Sequence, residues 1–486
     1  MRPGNGSRGQ ALRCVDAQFD EFKRVLVRLA RIPSVSADGF PKEPVARSAA
    51  AFAALLRRVG LRNVQVLEMP GVHPYVYAEW RKRPAAPTLL LYGHHDVVPP
   101  GRPEQWLSPP FEPVERKGRL YGRGTADDKG GILVHIAAVA AYLRTSGSLP
   151  CNVKFLIEGE EEIGSGNLGR FLEKHRASMS ADAVVLSDTA NFETGIPSLT
   201  YQLRGMCQVD VAVRCLERPV HSGQMGGAVP DPVQVLCRLI GDLTGKDGSL
   251  DIPGLYRRVA RTTPRQRARL RRLPFDGRKF ARRAGLLKGV TLAGEKAYTV
   301  YERIWTRPSL TVIALESQPI LGSSNQIVDS ARARLSMRTV PRMDSREAGE
   351  LLVRRLTRKP PHGAHVDARI VRSAPWWATD PEGPAFDAAL RALKAGFGRD
   401  AVLIGGGGSI GFVQPFSDFL AGAPCLLTGV EEPACGAHSE NESLHLGDWR
   451  KCMRAAVHLY DELSRARLGA GGTALHRTRH EGGGSR

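Results

Sequence analysis

Five stretches of this sequence combine histidine and carboxylate side chains with the ends of apolar runs. Residues 89–92 lead into Gly93-His94-His95-Asp96, and 152–157 into Glu158-Gly159-Glu160-Glu161-Glu162. Residues 183–186 lead into Ser187-Asp188, and 424–428 into a loop that reaches Ala437-His438-Ser439. The fifth, Gly122-Arg123-Gly124-Thr125-Ala126-Asp127-Asp128-Lys129-Gly130, stands just before a helical pattern. Imidazole and carboxylate without thiolate suit a catalytic cation site, not a cysteine-rich structural one. Two cations about 3.5–4 Å apart need one carboxylate between them and a histidine and a further carboxylate each. The inventory holds all of these and leaves one acid over as a base. Singly, each stretch has an ordinary reading: a packed histidine, acids in the first turn of a helix, an Asp-Asp turn or cap. The recurrence at one strand end after another is what carries weight.

Such residues can meet only if the strands that carry them lie side by side. Phe19, Phe22, Val25, Leu26 and Leu29 fall at helical spacing, and a second helix fits 44–59, closed by Gly60. Short apolar runs at 63–68, 76–79, 88–92, 152–157 and 183–186 alternate with a helix at 130–143, the pattern of an α/β sheet covered by helices. In an open α/β sheet the carboxyl ends of the strands form the ligand crevice. After Pro197 the texture changes: Cys207, Val209, Val211, Val213 and Cys215 alternate with polar residues as in a half-buried strand. A helix around 233–243, strands at 310–315 and 331–340, a helix at 345–358 and a strand at 365–371 complete a βαββαβ, ferredoxin-like order. From about Ala374 the α/β texture returns, with a helix at 384–397, strands at 401–404 and 424–428, and a last helix at 448–463. The expected fold is therefore an α/β catalytic domain with a mixed sheet, in parts 15–198 and 374–465, interrupted by a βαββαβ domain at 199–373. Residues 1–13 are expected to fray, and the Gly/Arg/His-rich 466–486 to form a disordered tail.

The chain has 486 residues, 42% of them hydrophobic, enough to build more than one core and to exclude disorder over most of its length. No run of eighteen apolar residues occurs, so a membrane span is not expected, and the first forty residues lack the pattern of a secretory signal. The eight cysteines include no C-x-x-C pair and read as thiols of a reducing, cytoplasmic compartment. Net charge is +20, but residues 257–288 alone hold thirteen basic residues against one acid, Asp276, a net +12. The excess is one local feature, which argues against a global nucleic-acid surface. The Gly405–Gly408 run has no Lys-Ser/Thr after it and is not a phosphate loop.

The segments LLLYGHHDVVP, GRLYGRGTADDKG, FLIEGEEEIGS, VVLSD and AHSENE resemble the signatures of the dinuclear zinc metallopeptidase and aminoacylase family, which includes carnosinases, bacterial dipeptidases, glutamate carboxypeptidase and succinyl-diaminopimelate desuccinylase. The resemblance covers about residues 15–465. In the βαββαβ domain, TYQLRG, HSGQMGGAVPDP and the SLTV, NQIV and RLSMRTVP segments are similar to the dipeptidase branch. It implies a zinc-exopeptidase-type domain with an inserted lid and dimerisation domain, hence a homodimer, and two divalent ions, zinc first, with manganese or cobalt as alternatives. His94 and Asp188 are implied as ligands of one ion, Glu162 and His438 of the other, with Asp127 between them. The pattern G-H-x-D-V selects His94 over His95, and E-G-x-E-E-x-G-S selects Glu161 and Glu162 over Glu160. Asp96 is implied to fix the His94 tautomer, and Glu161 to act as general base on a water shared by the ions. The peptide between Asp127 and Asp128 is implied to be cis. His221 corresponds to a donor for the developing oxyanion, contributed by the same or the partner subunit; its ordinary reading is a turn cap. Arg338, with Asn325, corresponds to a clamp for the substrate carboxylate, although Arg332 and Arg334 share its strand face.

The resemblance implies hydrolysis of dipeptides or short peptides. The alternative in the same chemistry is an N-acyl-amino-acid amidohydrolase; Asp188, where relatives with Glu tend to be deacylases and carboxypeptidases, favours the peptidase. A reading of another class is binding of nucleic acid or an anionic surface through the 257–288 insertion. Two departures stand out. Gly405-Gly406-Gly407-Gly408-Ser409-Ile410-Gly411 replaces the R-E-G-G-S-I-P segment of many dipeptidases, and Cys435 stands three residues before His438, where it could compete for a cation.

Overall fold

The computed structural model describes residues 5–408, 412–420 and 422–468. The expected tail beyond residue 468, and the end of the glycine-rich segment at 409–411, lie outside the described residues. The chain divides into two compact units. One comprises the chain up to Tyr201, Thr379–Ile404 and the described residues from Phe412 on; the other comprises Gln202–Ala378 with a short stretch beginning at Gly405.

The first unit is built on a mixed sheet whose strand order is Arg62–Leu67, Tyr75–Trp80, Asn152–Glu158, Thr88–His94, Ala183–Leu186, Cys425–Leu427 and Ser198–Leu203. The four middle strands, from Asn152–Glu158 to Cys425–Leu427, run parallel. They are nearly continuous apolar runs because both faces are covered and no alternation is required. Helix Lys129–Ser146 is buried from Lys129 to Tyr142. Its sequence, apolar on all sides after Gly131, suits a helix sunk in a core better than one lying on a surface. Gly147, with φ +65°, ends it in the left-handed conformation. Helices Glu43–Val59, Pro384–Phe397 and Leu446–Arg465 contribute to the same apolar core.

The expected fraying of the N-terminus is corrected. A helix spans Asn5–Ala17, Ala11 and Val15 are fully buried, and Arg8 pairs with Asp461 at 2.6 Å. The high Gly/Arg content conceals this because the helix is anchored by few apolar contacts and by ion pairs of Arg8 with Asp461 and of Asp16 with Arg454, not by a long stripe.

The second unit carries an antiparallel sheet in the order Ser309–Glu316, Ser330–Thr339, Gly205–Arg214, His365–Ala374. Helices Pro232–Gly241 and Ser345–Thr357 contribute to its core. Taken in chain order, the sheet reads second, third, first, fourth, the βαββαβ arrangement. Between its first helix and second strand lie Pro264–Arg271, Gly277–Arg283 and Val300–Thr306, all helical.

Candidate metal centre

The register of the parallel strands determines which side chains meet. His94 lies opposite Glu158, Tyr92 opposite Leu186, and Leu186 opposite Leu427. The carboxyl ends are thus level, and whatever follows each strand emerges at one edge. Asp188, two residues past its strand, bridges to Gly429. Glycine is required where chains crowd behind this edge. A Cβ at Gly93 would overlap the Asp128 carboxylate, and one at Gly131 would overlap the same group and the Ser187 carbonyl.

Two groups of ligand atoms form there, His94–Asp127–Asp188 and Asp127–Glu162–His438, with every atom of a group within 4.8 Å of the others. Asp127 belongs to both. Its Oδ1 lies 3.0 Å from His94 Nε2, and its Oδ2 lies 3.1 Å from His438 Nε2. The same His438 nitrogen is 3.1 Å from Glu162 Oε2, and His94 Nε2 is 3.8 Å from Asp188 Oδ1. The Asp127–Asp128 peptide is cis. His94 is wholly buried, whereas the His438 side chain, on a left-handed backbone with φ +63°, is 60% exposed.

Supporting contacts orient these groups. His94 Nδ1 faces the Asp96 backbone oxygen at 3.1 Å and the Asp96 carboxylate at 3.3 Å. That carboxylate also accepts from Ser36 Oγ at 2.7 Å and from the Glu162 amide at 3.1 Å, tying the two ligand segments together. His95 points elsewhere, with Nε2 3.0 Å from the Pro74 carbonyl, and burial lowers its pKa to about 4. Glu160 accepts from Tyr75 Oη and from Asn167, outside both groups. Cys435 is buried, its sulfur accepts from the Ala437 amide, and burial pushes its thiol up to about 12, so it offers no thiolate.

The electrostatics show what the site is suited to hold. Burial, then repulsion from Asp188, drives the Glu161 carboxyl well above the ordinary range. Burial and Asp127 bring Glu162 to about 7. Hydrogen bonds to Asp127 and Glu162 hold His438 up to about 11. Against the cost of burial, the same kind of contact from Asp127 and Asp188 raises His94. Buried carboxylates that can discharge only by taking up protons form a site matched to cations. With neutral imidazoles, Asp127, Glu161, Glu162 and Asp188 carry four negative charges, which two divalent ions would cancel. The donor set of imidazole nitrogens and carboxylate oxygens fits such ions.

Three residues escaped the sequence reading. Glu431 is half-buried and feels Asp127, Asp188 and His438; it sits in a loop after a short strand, and no spacing marked it. Glu442 is fully buried and accepts from Arg123 Nη1 at 2.8 Å and from the amides of Gly124, Ala126 and Asp127. It pins the Asp127 loop, and its place in AHSENE was the available signal. Arg204, in TYQLRG, is the third.

Arg204, His221, Asn325 and Arg338 all belong to the second unit. The Arg204 guanidinium donates to the Gly407 carbonyl and to Ser309 Oγ, and burial, then Arg338, lower its pKa to about 10. Arg338 is half-buried opposite Ser309, and burial and Arg372 lower its pKa. Arg334 is instead engaged by Asp210 through two contacts of 2.6 and 2.9 Å. His221 is exposed and opposite Gln326; its Nδ1 accepts from the Gly223 amide at 3.1 Å, a turn cap. Asn325 is exposed beside it, its carbonyl accepting from the Ser222 amide.

Residues 90–462 match the model of peptidase family M20/M25/M40. The chain belongs to this family. It is 34% identical to the cysteinylglycine-S-conjugate dipeptidase of Corynebacterium striatum, over 74% of this chain and 77% of that protein. It is 28% identical to the Beta-Ala-His dipeptidase of Rattus norvegicus, over 96% of this chain and 98% of that protein. Among solved structures, the dipeptidase Dug1p of Saccharomyces cerevisiae superposes with a TM-score of 0.79 at 27% identity, covering 95% of this chain and 99% of that one. As a member of the M20/M25/M40 family the chain is an enzyme, a metallopeptidase, and its mixed α/β fold is the family's.

Proposed function

We propose that this peptidase hydrolyses dipeptides at a centre of two divalent ions, zinc in the first instance. His94 and Asp188 would hold one ion, Glu162 and His438 the other, and Asp127 both. The observation that carries this reading is the pair of ligand groups sharing Asp127, with the half-buried Glu161 carboxyl close enough to feel the charge of Asp188, Glu162 and Asp127. The curated relatives reported above are both dipeptidases, which supports the substrate class.

Divalent ions bound there would supply Lewis acidity toward a peptide carbonyl and toward water. Glu161 takes a proton from the attacking water and delivers it to the departing amine, general base and then general acid. Asp96 keeps the His94 ring oriented by accepting at Nδ1, leaving Nε2 for ligation. Glu442 and Arg123 hold the Asp127 loop, so the bridging carboxylate needs no reorganisation when substrate arrives. In the second unit, an imidazole that accepts at Nδ1 keeps its proton on Nε2. His221 therefore presents an exposed N–H donor, suited to a developing oxyanion. The mutual repulsion of Arg204 and Arg338 favours an anion beside them, which supports Arg338, assisted by Asn325, as the holder of the substrate carboxylate.

A homodimer is proposed through the second unit. Ser309–Glu316 is an edge strand, and Val312, Ile313 and Leu315 on it are 42%, 49% and 56% exposed. An apolar edge of this kind is a pairing surface. The eight free cysteines support a reducing, cytoplasmic compartment.

The deciding experiment is a panel of dipeptides and of N-acyl amino acids offered to metal-replete protein. Turnover of dipeptides is expected; turnover of the N-acyl compounds alone would transfer the protein to the amidohydrolases.

A further inference from the structure

The metal centre leaves the 257–288 insertion without a task. Eleven of its thirteen basic residues are exposed. Its one acid is already engaged, the Asp276 carboxylate accepting from the amides of Arg278 and Lys279 at 2.9 and 3.0 Å. Helices Pro264–Arg271 and Gly277–Arg283 place like charges four residues apart, Arg278 against Arg282 and Lys279 against Arg283 in the second, a spacing that destabilises a helix. Order comes from elsewhere. Thr263 and Gln266 form a capping box, Leu270 is buried, and Phe275 meets Tyr301 edge-on at 5.6 Å. The insertion is a docked platform that concentrates positive charge against its own stability.

Beside that charge is an apolar turn. Leu287 is 78% exposed and Val290 55%, and the Val290 amide donates to the Leu287 carbonyl. Arg282, Arg283 and Lys288, all exposed, flank it in sequence. Exposed aliphatic side chains among guanidinium groups match a bilayer interface, where phosphates meet the cations and the apolar groups pass below the headgroups. Nucleic acid would use the charge but not the aliphatic turn, and the rings it would stack on, Phe275 and Phe280, pack against each other at 5.8 Å.

We propose that the insertion docks this peptidase on an anionic lipid surface, with Leu287 and Val290 entering the interface. The test is co-sedimentation of the full chain with phosphatidylcholine vesicles, with and without phosphatidylglycerol, across a salt series, and with duplex DNA as competitor. Binding is expected only with phosphatidylglycerol and is expected to weaken as salt rises. Leu287→Asp with Val290→Asp, and separately Arg278→Gln with Arg282→Gln and Arg283→Gln, should each lower partitioning by about tenfold or more at unchanged melting temperature. Absence of binding to phosphatidylglycerol vesicles, equal binding to phosphatidylcholine alone, undiminished binding by folded variants, or displacement of the vesicles by DNA would overturn the proposal. The salt series on the unsubstituted protein tests it even if a variant fails to fold, and no arm depends on peptidase activity.

Discussion

Asp127 is the residue on which the centre depends, because among the described residues it is the one carboxylate shared by the ligand groups of both histidines. Asp127→Ala should abolish stoichiometric metal binding, read by elemental analysis after dialysis. Glu161 contributes differently. Glu161→Gln is nearly isosteric, so two ions per chain should remain while kcat falls by a factor on the order of 10²–10⁴; unchanged turnover would remove Glu161 from the base role. His135 offers a pH test remote from the ligands. It is fully buried, its Nδ1 lies 2.9 Å from Tyr460 Oη, and burial lowers its pKa to about 4. Unfolded, it titrates near 6.5. Its contribution to stability is therefore complete above about pH 6.5 and is lost as pH falls toward 4, because the unfolded chain takes up the proton first. The loss amounts to roughly 3 kcal/mol at about 1.4 kcal/mol per pH unit. Compared with the parent, His135→Phe should lose less of its melting temperature between pH 7 and pH 4.

At the scale of elements, parallel strands deliver the ligands and two loops hold them in place. The Arg123–Glu442 pair, both members essentially inaccessible to water, joins the Asp127 loop to the segment after His438. Breaking one side of a buried pair costs about 3–5 kcal/mol, because the remaining charge is stranded. Glu442→Ala should therefore lower the melting temperature and also weaken metal binding, measured by titration with a chelator. A variant that loses stability but keeps full metal affinity would confine Glu442 to a structural role. The basic helices of the insertion are the opposite case. Their local sequence opposes them, and caps, the buried Leu270, the Phe275 ring contacts and the Arg267–Glu302 ion pair hold them in place.

For the whole molecule, exposed apolar residues of the second unit bear on the proposed dimer. The segment beyond the edge strand carries Ile320 and Leu321 at 95% and 94% exposure, an apolar surface uncommon on a monomer. Ile320→Asp with Leu321→Asp should convert a dimer to a monomer in light scattering, without changing the melting temperature of either unit's core by more than a few degrees. A parent protein already monomeric at micromolar concentration would remove the dimer reading.

Much of this was legible in the chain because the relevant information is local. Period-two and helical spacing marked the strands and helices of both units, and it was the resemblance to the family's patterns that selected His94 over His95 and Glu161 and Glu162 over Glu160. The structure groups His94 and Glu162 with the other ligand candidates and engages His95 and Glu160 elsewhere. Glu431, Glu442 and Arg204 were not assigned, and the helix Asn5–Ala17 was missed, because each depends on partners far away in sequence: Asp127 and Asp188 for Glu431, Arg123 for Glu442, Arg338 for Arg204, and Asp461 for Arg8. Residue types and spacing determined which chemistry was available. Only the tertiary structure, through parallel register, burial and the repulsion of neighbouring acids, decided which carboxylates face each other and therefore need cations.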